Sequence, residues 1–164
     1  MAADGGGAPQ IRVVTGTGTG PTAIASYDAA LAAADLHEYN LATVSSVVPP
    51  DATVEPVESV PDFGPIGGRL WTVQARTTRA GPDRAAAALG WAIGSTGGVF
   101  YEAGGAEDES VARDEVASGL AAARDLRDAQ LPTDQIESTA LEVPVGTYGT
   151  AVVVAAYGDA EPWG

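Results

Sequence analysis

Residues 40–50 read Asn40-Leu41-Ala42-Thr43-Val44-Ser45-Ser46-Val47-Val48-Pro49-Pro50. The β-branched and aliphatic residues of this stretch predict a strand over 40–48, and the proline pair ends the strand because proline cannot donate to a β-ladder. Ser45 and Ser46 lie just before this stop. Two hydroxyls inside an apolar strand need hydrogen-bond partners. The pair is therefore either two sheet serines bonded to neighbouring backbone or a site that carries chemistry.

Periodicity on both sides of this stretch predicts strands and helices that alternate irregularly along the chain. Strands are predicted at 11–14, 54–60, 70–77 and 99–102, helices at about 22–36, 84–93 and 109–130, and a hairpin from 135–143 and 150–157. Residues 15–20 are predicted as a loop and residues 1–10 as a disordered N-terminus. Strands that come both in pairs and separated by helices favour a single α/β domain over 11–164. We expect a layered αββα-type sandwich with mixed, mostly antiparallel sheets.

The composition restricts the classes of partner. The 164 residues include 22 Asp and Glu against 8 basic residues, all of them Arg, so the net charge is -14. Such a surface repels nucleic acid and anionic membrane, and we expect neither as a partner. High salt screens this self-repulsion, so we also expect a halophilic protein whose fold loosens below molar salt.

Other residue types exclude further kinds of site. The chain contains no Cys and a single histidine, His37, so disulfides, thiolate nucleophiles and multi-histidine metal sites are not expected. The N-terminal residues do not resemble a signal peptide, and no apolar run is long enough to cross a bilayer, so we expect a soluble cytoplasmic protein.

Two other features suggest chemistry but have simpler explanations. The run Gly16-Thr17-Gly18-Thr19-Gly20 lies between a predicted strand and a predicted helix, as in dinucleotide-binding proteins. The fingerprint requires glycine at position 21, where this chain has Pro21, so a tight turn is favoured. His37 follows the first helix, where it is either a general base or, as we favour, a capping or solvated side chain.

Residues 40–50 resemble the self-cleavage segment of pyruvoyl-dependent arginine decarboxylases. The shared pattern is an asparagine, several apolar residues, a Ser-Ser pair, two apolar residues and a proline pair. The resemblance continues in register through residues 27–31, 99–102 and 136–156. It therefore covers the chain from about residue 11 to the end.

This resemblance implies that the chain cleaves itself between Ser45 and Ser46, giving a β fragment of residues 1–45 and an α fragment of residues 46–164. Ser46 would become a covalent pyruvoyl group, which does the work of pyridoxal phosphate without a metal. The implied reaction converts L-arginine to agmatine and CO2, and the agmatine feeds polyamine synthesis or tRNA modification. Asn40 matches a family residue associated with processing, and its amide is expected to donate to the developing oxyanion.

The resemblance also assigns the remaining site residues. Glu102 matches the residue that protonates the substrate carbon after decarboxylation, and we expect burial to keep it protonated. Asp28 matches the residue that holds the substrate guanidinium, while Leu31 would flank the alkyl chain and Ser45 would line the site. The family assembles as homotrimers of αβ units with sites at subunit interfaces.

Four alternatives to these implications stay open at this point. Glu102 is otherwise an exposed carboxylate at a strand end, and Asp28 is otherwise one of many surface acids on helices. Lysine or ornithine would suit a lone Asp28 nearly as well as arginine. The chain is otherwise a non-enzymatic domain of the same fold in which the Ser45-Ser46 bond stays intact.

Overall fold

A computed structural model describes residues 7–58, 60, 62–128 and 130–164. These residues form nine strands and two helices. The strands are β1 Gln10–Gly20, β2 Asn40–Thr43, β3 Val47–Val48, β4 Thr53–Pro56, β5 Arg69–Ala80, β6 Asp83–Gly94, β7 Gly97–Ala106, β8 Thr133–Val143 and β9 Tyr148–Glu161, and the helices are α1 Ala23–Ala33 and α2 Glu109–Asp125.

The strands form two sheets that pack face to face. Sheet A has the order β2-β5-β9-β1-β4, with β1/β4 and β2/β5 parallel and the pairs made by β9 antiparallel. Sheet B has the order β3-β7-β6-β8 and is antiparallel throughout. One apolar cluster lies between the sheets, a second between α1 and sheet A, and a third between α2 and sheet B. The predicted αββα sandwich with mixed, mostly antiparallel sheets is confirmed.

The glycine-threonine run at 16–20 belongs to strand β1, so the prediction of a tight turn there is wrong. Gly16, Gly18 and Gly20 all turn their missing side chains toward helix α1. A Cβ on Gly18 would lie 2.5 Å from the backbone of Ala29 and Ala30, closer than any real contact. The alternating glycines therefore form a flat face on the strand that lets the helix backbone approach.

The alanine-rich segment at 84–93 is strand β6, and the predicted helix is wrong. One face of the strand, with Leu89 and Trp91, joins the cluster between the sheets, and the other, with Ala88 and Ala92, packs under α2. A strand buried on both faces shows a continuous apolar run in place of alternation. This burial outweighs the high helix propensity of alanine.

Strands β8 and β9 do not pair with each other, so the predicted hairpin is also wrong. β8 pairs with β6 in sheet B, whereas β9 lies between β1 and β5 in sheet A. The short connection at 144–147 therefore carries the chain from one sheet to the other.

Both confirmed helices begin at side-chain caps. Thr22 accepts a hydrogen bond from the backbone N–H of Ala25 at 3.0 Å, and Asp108 accepts one from that of Ser110 at 2.7 Å. The bonds from Ser110 hold the pKa of Asp108 below its ordinary value. His37 lies exposed beyond the end of α1. Neither helix in the described part of the chain is long and apolar enough to cross a membrane.

Residues 1–6 of the predicted disordered N-terminus lie outside the described residues, and Gln10 is already the first residue of β1. At the other end of the sequence, β9 extends to Glu161.

Candidate active site

Ser45 and Ser46 lie in a short link that crosses from one sheet to the other. The link leaves β2 at the edge of sheet A and enters β3 at the edge of sheet B. The continuous strand predicted over 40–48 is therefore broken at the serine pair. Val44 N–H donates to the Thr72 carbonyl on β5 at 3.0 Å, and Phe100 N–H on β7 donates to the Ser46 carbonyl at 2.8 Å. Each end of the link is thus tied to a different sheet.

The backbone makes a tight turn at Ser46. The Val47 N–H donates to the Ser45 carbonyl at 2.6 Å, an i to i+2 bond that defines a γ-turn. The φ angle of Ser46 is not positive, so the turn is of the inverse kind, which L-residues adopt without strain. The carbonyl of the peptide that joins the two serines therefore already accepts a short hydrogen bond.

The Ser46 side chain faces a carboxylate. Its hydroxyl donates to Glu102 on β7, at 3.1 Å to Oε2 and 3.4 Å to Oε1. The hydroxyl is thus bonded to an acidic side chain and not to neighbouring backbone. Glu102 is exposed, so the burial expected for it is not found within one chain.

Tyr157 of sheet A and Phe100 of sheet B form an aromatic pair that contacts the link. Tyr157, near the end of β9, packs its ring against Phe100 with centroids 5.9 Å apart. Its hydroxyl donates to the Val47 carbonyl at 2.9 Å. Partial burial raises the pKa of Tyr157, and the negative charge of Glu102 raises this pKa further. The phenol therefore remains a hydrogen-bond donor at neutral pH.

An open cavity of about 440 Å³ borders the serine pair on the side of sheet A. Its lining is mostly apolar and consists of Pro9, Val44, Ser45, Val47, Trp71 and Tyr157. A second groove of about 690 Å³ lies beyond Glu102, between β7 and α2. The Ser46–Glu102 pair therefore lies between two depressions of the surface.

Asn40 lies away from the serine pair, at the start of β2. Its side-chain amide donates to the Gly67 carbonyl at 2.7 Å, and its backbone N–H donates to the Gly68 carbonyl at 2.9 Å. Among the described residues, no hydrogen bond joins Asn40 to Ser45 or Ser46. The expected role of its amide at the oxyanion stays a prediction.

Asp28 and Leu31 lie on helix α1, in a different layer from the serine pair. Asp28 is exposed, whereas Leu31 is buried in the cluster between α1 and sheet A. Within the part of the chain that is described, Asp28 makes no hydrogen bond or ion pair with Ser46 or Glu102. A single chain therefore unites Ser45, Ser46 and Glu102 but leaves apart Asp28 and Leu31, the other two residues predicted to bind substrate.

Comparison with known proteins adds to this geometry. Residues 10–162 match the family model of pyruvoyl-dependent arginine decarboxylase. The chain belongs to this family. A curated pyruvoyl-dependent arginine decarboxylase from Halobacterium salinarum is 44% identical over 155 residues, which cover 94% of this chain and 97% of the relative. A relative of the same name from Thermoplasma volcanium is 38% identical over 51% of this chain and 47% of its own length.

The arrangement in this pyruvoyl-dependent decarboxylase fits a pyruvoyl group formed at position 46. Such a group needs a hydroxyl that can attack the preceding carbonyl, a partner for the hydroxyl proton, and a donor to the carbonyl oxygen. The contacts of Ser46 with Glu102, and of the Val47 N–H with the Ser45 carbonyl, would provide these three groups. No cluster of three or more potential metal ligands occurs among the described residues.

Sequence reasoning missed two groups of this family member, the Val47 N–H and the Tyr157 hydroxyl. The strand that contains Tyr157 was predicted, but its partner is a backbone carbonyl 110 residues away. Every residue has a backbone carbonyl, so the sequence does not indicate which one accepts a hydrogen bond from Tyr157. Only the packing of sheet A on sheet B shows that this tyrosine reaches the link.

Proposed function

We propose that the chain cleaves itself between Ser45 and Ser46 and then decarboxylates L-arginine to agmatine and CO2. The observation that carries this proposal is the contact of the Ser46 hydroxyl with the Glu102 carboxylate, 3.1 Å apart, beside a polarised Ser45 carbonyl. Family membership supports the pyruvoyl chemistry, and the names of the relatives support arginine as the substrate.

The self-cleavage begins with attack by Ser46 Oγ on the Ser45 carbonyl carbon. The hydroxyl proton passes to Glu102 and then to the amide nitrogen as the C–N bond breaks, which leaves an ester and a free amine. The Cα proton of residue 46 is then removed and the Cβ–O bond breaks, releasing the Ser45 carboxylate and a dehydroalanine. Water hydrolyses the tautomeric imine of this residue to a ketone and releases ammonia, so neither oxidant nor reductant is consumed.

In the decarboxylation, Glu102 supplies a proton and Asp28 binds the substrate side chain. The pyruvoyl ketone, when present, takes the substrate amine and accepts the electrons released as CO2 leaves. Glu102 faces the side chain of position 46 and donates the proton that replaces CO2 on the substrate carbon. Asp28 binds the guanidinium through paired charge-assisted hydrogen bonds, because a carboxylate matches the planar cation.

A homotrimer of αβ units would complete the site by bringing Asp28 of one unit to Ser46 of another. Asp28 lies outside the contacts of Ser46 within one chain, which supports a site shared between subunits. Large apolar side chains are also exposed in the single chain, among them Ile24 at 81% on α1 and Val145 at 76% before β9. Assembly into a trimer would give such side chains a surface on which to be buried.

We also propose that this enzyme works in a salt-rich cytoplasm. Its 22 acidic and 8 basic residues give a net charge of -14. In dilute buffer the excess carboxylates repel one another strongly. The relative from Halobacterium salinarum, 44% identical, supports the same environment.

Denaturing gel electrophoresis tests the cleavage. The purified chain should give two fragments, residues 1–45 and 46–164, and mass spectrometry should find a pyruvoyl group in place of serine at the start of the larger one. A Ser46→Ala chain should stay intact, whereas Ser118→Ala, an exposed serine on α2, should cleave normally. An intact wild-type chain, or a cleaved Ser46→Ala chain, would refute the assignment.

Substrate assays test the reaction. Agmatine should form from arginine faster than diamine forms from lysine or ornithine, since a planar cation suits Asp28 best. Glu102→Gln should lose at least about 100-fold in kcat per cleaved chain, because glutamine cannot supply a proton. Glu142→Gln removes an exposed strand carboxylate paired with Arg84 and should retain activity. Faster release from lysine would contradict the proposed substrate.

Complementation tests the shared site. Ser46→Ala and Asp28→Asn chains should each be inactive or weak alone. Co-expression should restore activity, because a hybrid trimer contains sites that combine an intact Asp28 from one chain with an intact Ser46 from another. If both residues act within one chain, no such site forms and activity stays at the level of the single variants.

A further inference from the structure

Three consecutive backbone groups at the cleavage link are held by specific donors. The Ser45 carbonyl accepts from the Val47 N–H at 2.6 Å, and the Ser46 carbonyl accepts from the Phe100 N–H at 2.8 Å. The Val47 carbonyl accepts from the Tyr157 hydroxyl at 2.9 Å. The first bond lies on the atom that becomes negatively charged during self-cleavage, and the other two hold the peptides that follow it.

We infer that Tyr157 is a positioning residue for self-cleavage: by holding the Val47 carbonyl, it fixes the backbone that follows Val47 and so, together with the Phe100 N–H on the preceding peptide, keeps the Val47 N–H directed at the Ser45 oxyanion. The inference rests on the proposed self-cleavage and extends it to a residue outside the serine pair. The Val47 N–H is the oxyanion donor, and Tyr157 acts through it.

The geometry explains why a side chain is needed for this task. β3 contains only two residues and lies at the edge of sheet B, so ladder bonds hold Val47 from one side only. The Val47 side chain is 56% exposed and contributes little to the core. The peptide that carries the N–H is anchored at its own carbonyl by the Phe100 N–H, and the bond from Tyr157 fixes the next peptide, so the two bonds together hold Val47 on both sides. Phe100 in turn fixes the tyrosine ring by an aromatic contact between the sheets.

The expected effect follows from the sensitivity of oxyanion donors to alignment. Loss of a single donor reduces rates by about 100- to 1000-fold, and misplacement of a donor has a smaller effect. Removal of the Tyr157 hydroxyl leaves the donor present but less well directed. We therefore expect Tyr157→Phe to slow self-cleavage by roughly 10- to 100-fold.

The first experiment compares two Tyr→Phe variants of the full chain. Tyr157→Phe keeps the ring on Phe100 and removes only the hydroxyl. Tyr39→Phe is the matched control, because the Tyr39 hydroxyl accepts a bond from the Phe63 N–H at 3.2 Å and its ring packs against the cluster between α1 and sheet A, not against the link. Cleavage is followed on denaturing gels, and thermal unfolding of both variants is measured in molar salt.

A spectroscopic measurement separates positioning from a general loss of stability. In a Ser46→Ala chain, positions 45 and 46 are the only place in the sequence where a serine is followed directly by an alanine. Labelling serine carbonyl carbons with ¹³C and alanine nitrogens with ¹⁵N therefore gives one cross-peak, which reports the Ser45 carbonyl. Adding Tyr157→Phe should move this carbon upfield, as expected when its oxygen loses a hydrogen bond, and Tyr39→Phe should not.

The outcomes distinguish this inference from the proposed function. Slow cleavage of Tyr157→Phe with normal cleavage of Tyr39→Phe, together with the upfield shift, supports the inference. Wild-type rates in Tyr157→Phe, an unchanged cross-peak, or equal slowing in both variants would overturn it and leave the proposed function standing. Failure of the wild-type chain to cleave would overturn both.

Discussion

Replacement of Gly18 by alanine tests how the glycine face of β1 positions the helix that carries Asp28. The new Cβ would lie 2.5 Å from the carbonyl carbon of Ala29 and the nitrogen of Ala30, and 2.6 Å from the Ala29 Cβ. Ordinary contact begins near 3.4 Å, so α1 must retreat from the sheet by about 1 Å. All three neighbours are backbone atoms or a Cβ, and no flexible side chain can move aside.

Two opposing effects set the size of the loss in stability. Overpacking of a well-packed core costs about 1–3 kcal/mol. Removal of a glycine restricts the unfolded chain and stabilises by about 0.4–1 kcal/mol. The clash is the larger effect, so we expect a net loss of about 1–2 kcal/mol, or a fall in Tm of roughly 2–8 °C for a domain of this size.

The assay combines unfolding with kinetics. Tm is measured in molar salt on Ser46→Ala chains with and without Gly18→Ala, so that cleavage does not complicate the transition. In cleaved enzyme, a displaced α1 should raise KM for arginine through Asp28 while kcat changes little. Gly7→Ala is the control, since a Cβ there meets nothing within 4 Å. Equal Tm values for Gly18→Ala and Gly7→Ala would refute the close packing of α1 on β1.

Three further predictions concern charge. Asp28→Asn should raise KM for arginine at least about tenfold, because it removes the charge that strengthens the hydrogen bonds to the guanidinium. The control Asp125→Asn, on α2, should leave KM unchanged. Equal KM values for the two variants would contradict the assignment of Asp28. Dialysis from molar salt to 0.1 M should lower the free energy of unfolding. The Debye length grows from about 3 to about 10 Å, so the carboxylates repel one another over a longer distance. Unchanged circular dichroism and Tm would contradict this prediction. Asp108→Ala should lower Tm by removing the cap of α2. Because the pKa of Asp108 is lowered in the fold, its contribution is present above the ordinary value of 3.8 and lost as pH falls through the lowered pKa, so the Tm difference between the two chains should shrink in acid.

The layers of the fold could be predicted where local signals and tertiary packing agree. Both capped helices and strand β5 were found from periodicity and end signals. The errors occur where small residues fill buried positions. Glycine at every second position from 16 to 20 indicates a turn by composition, and the alanine run at 85–88 indicates a helix by propensity. In each case the residue is small because a helix backbone or a second sheet lies against it, and the neighbouring layer is not visible in a local window.

The site could be predicted only through the resemblance. The Ser45-Ser46 pair alone did not distinguish a chemical site from two satisfied hydroxyls. Glu102 lies 56 residues from Ser46 in sequence, and the structure brings their oxygen atoms to 3.1 Å. Asp28 matches the family pattern but lies in another layer, and sequence reasoning could not show that one chain leaves it apart from Ser46.

The position of the serine pair follows from the topology of the sandwich. In a regular strand the carbonyls of residues 45–47 would be fixed by ladder bonds, and attack on one of them would break the sheet. At a crossing between two sheets, the same carbonyls take their donors from outside a continuous ladder: the Val47 N–H, the Phe100 N–H and the Tyr157 hydroxyl. Each side of the break remains anchored, by Thr72 in sheet A and by Phe100 in sheet B. The proposed cleavage between Ser45 and Ser46 would therefore leave both strands in place, and the new end at position 46 would stay beside Glu102.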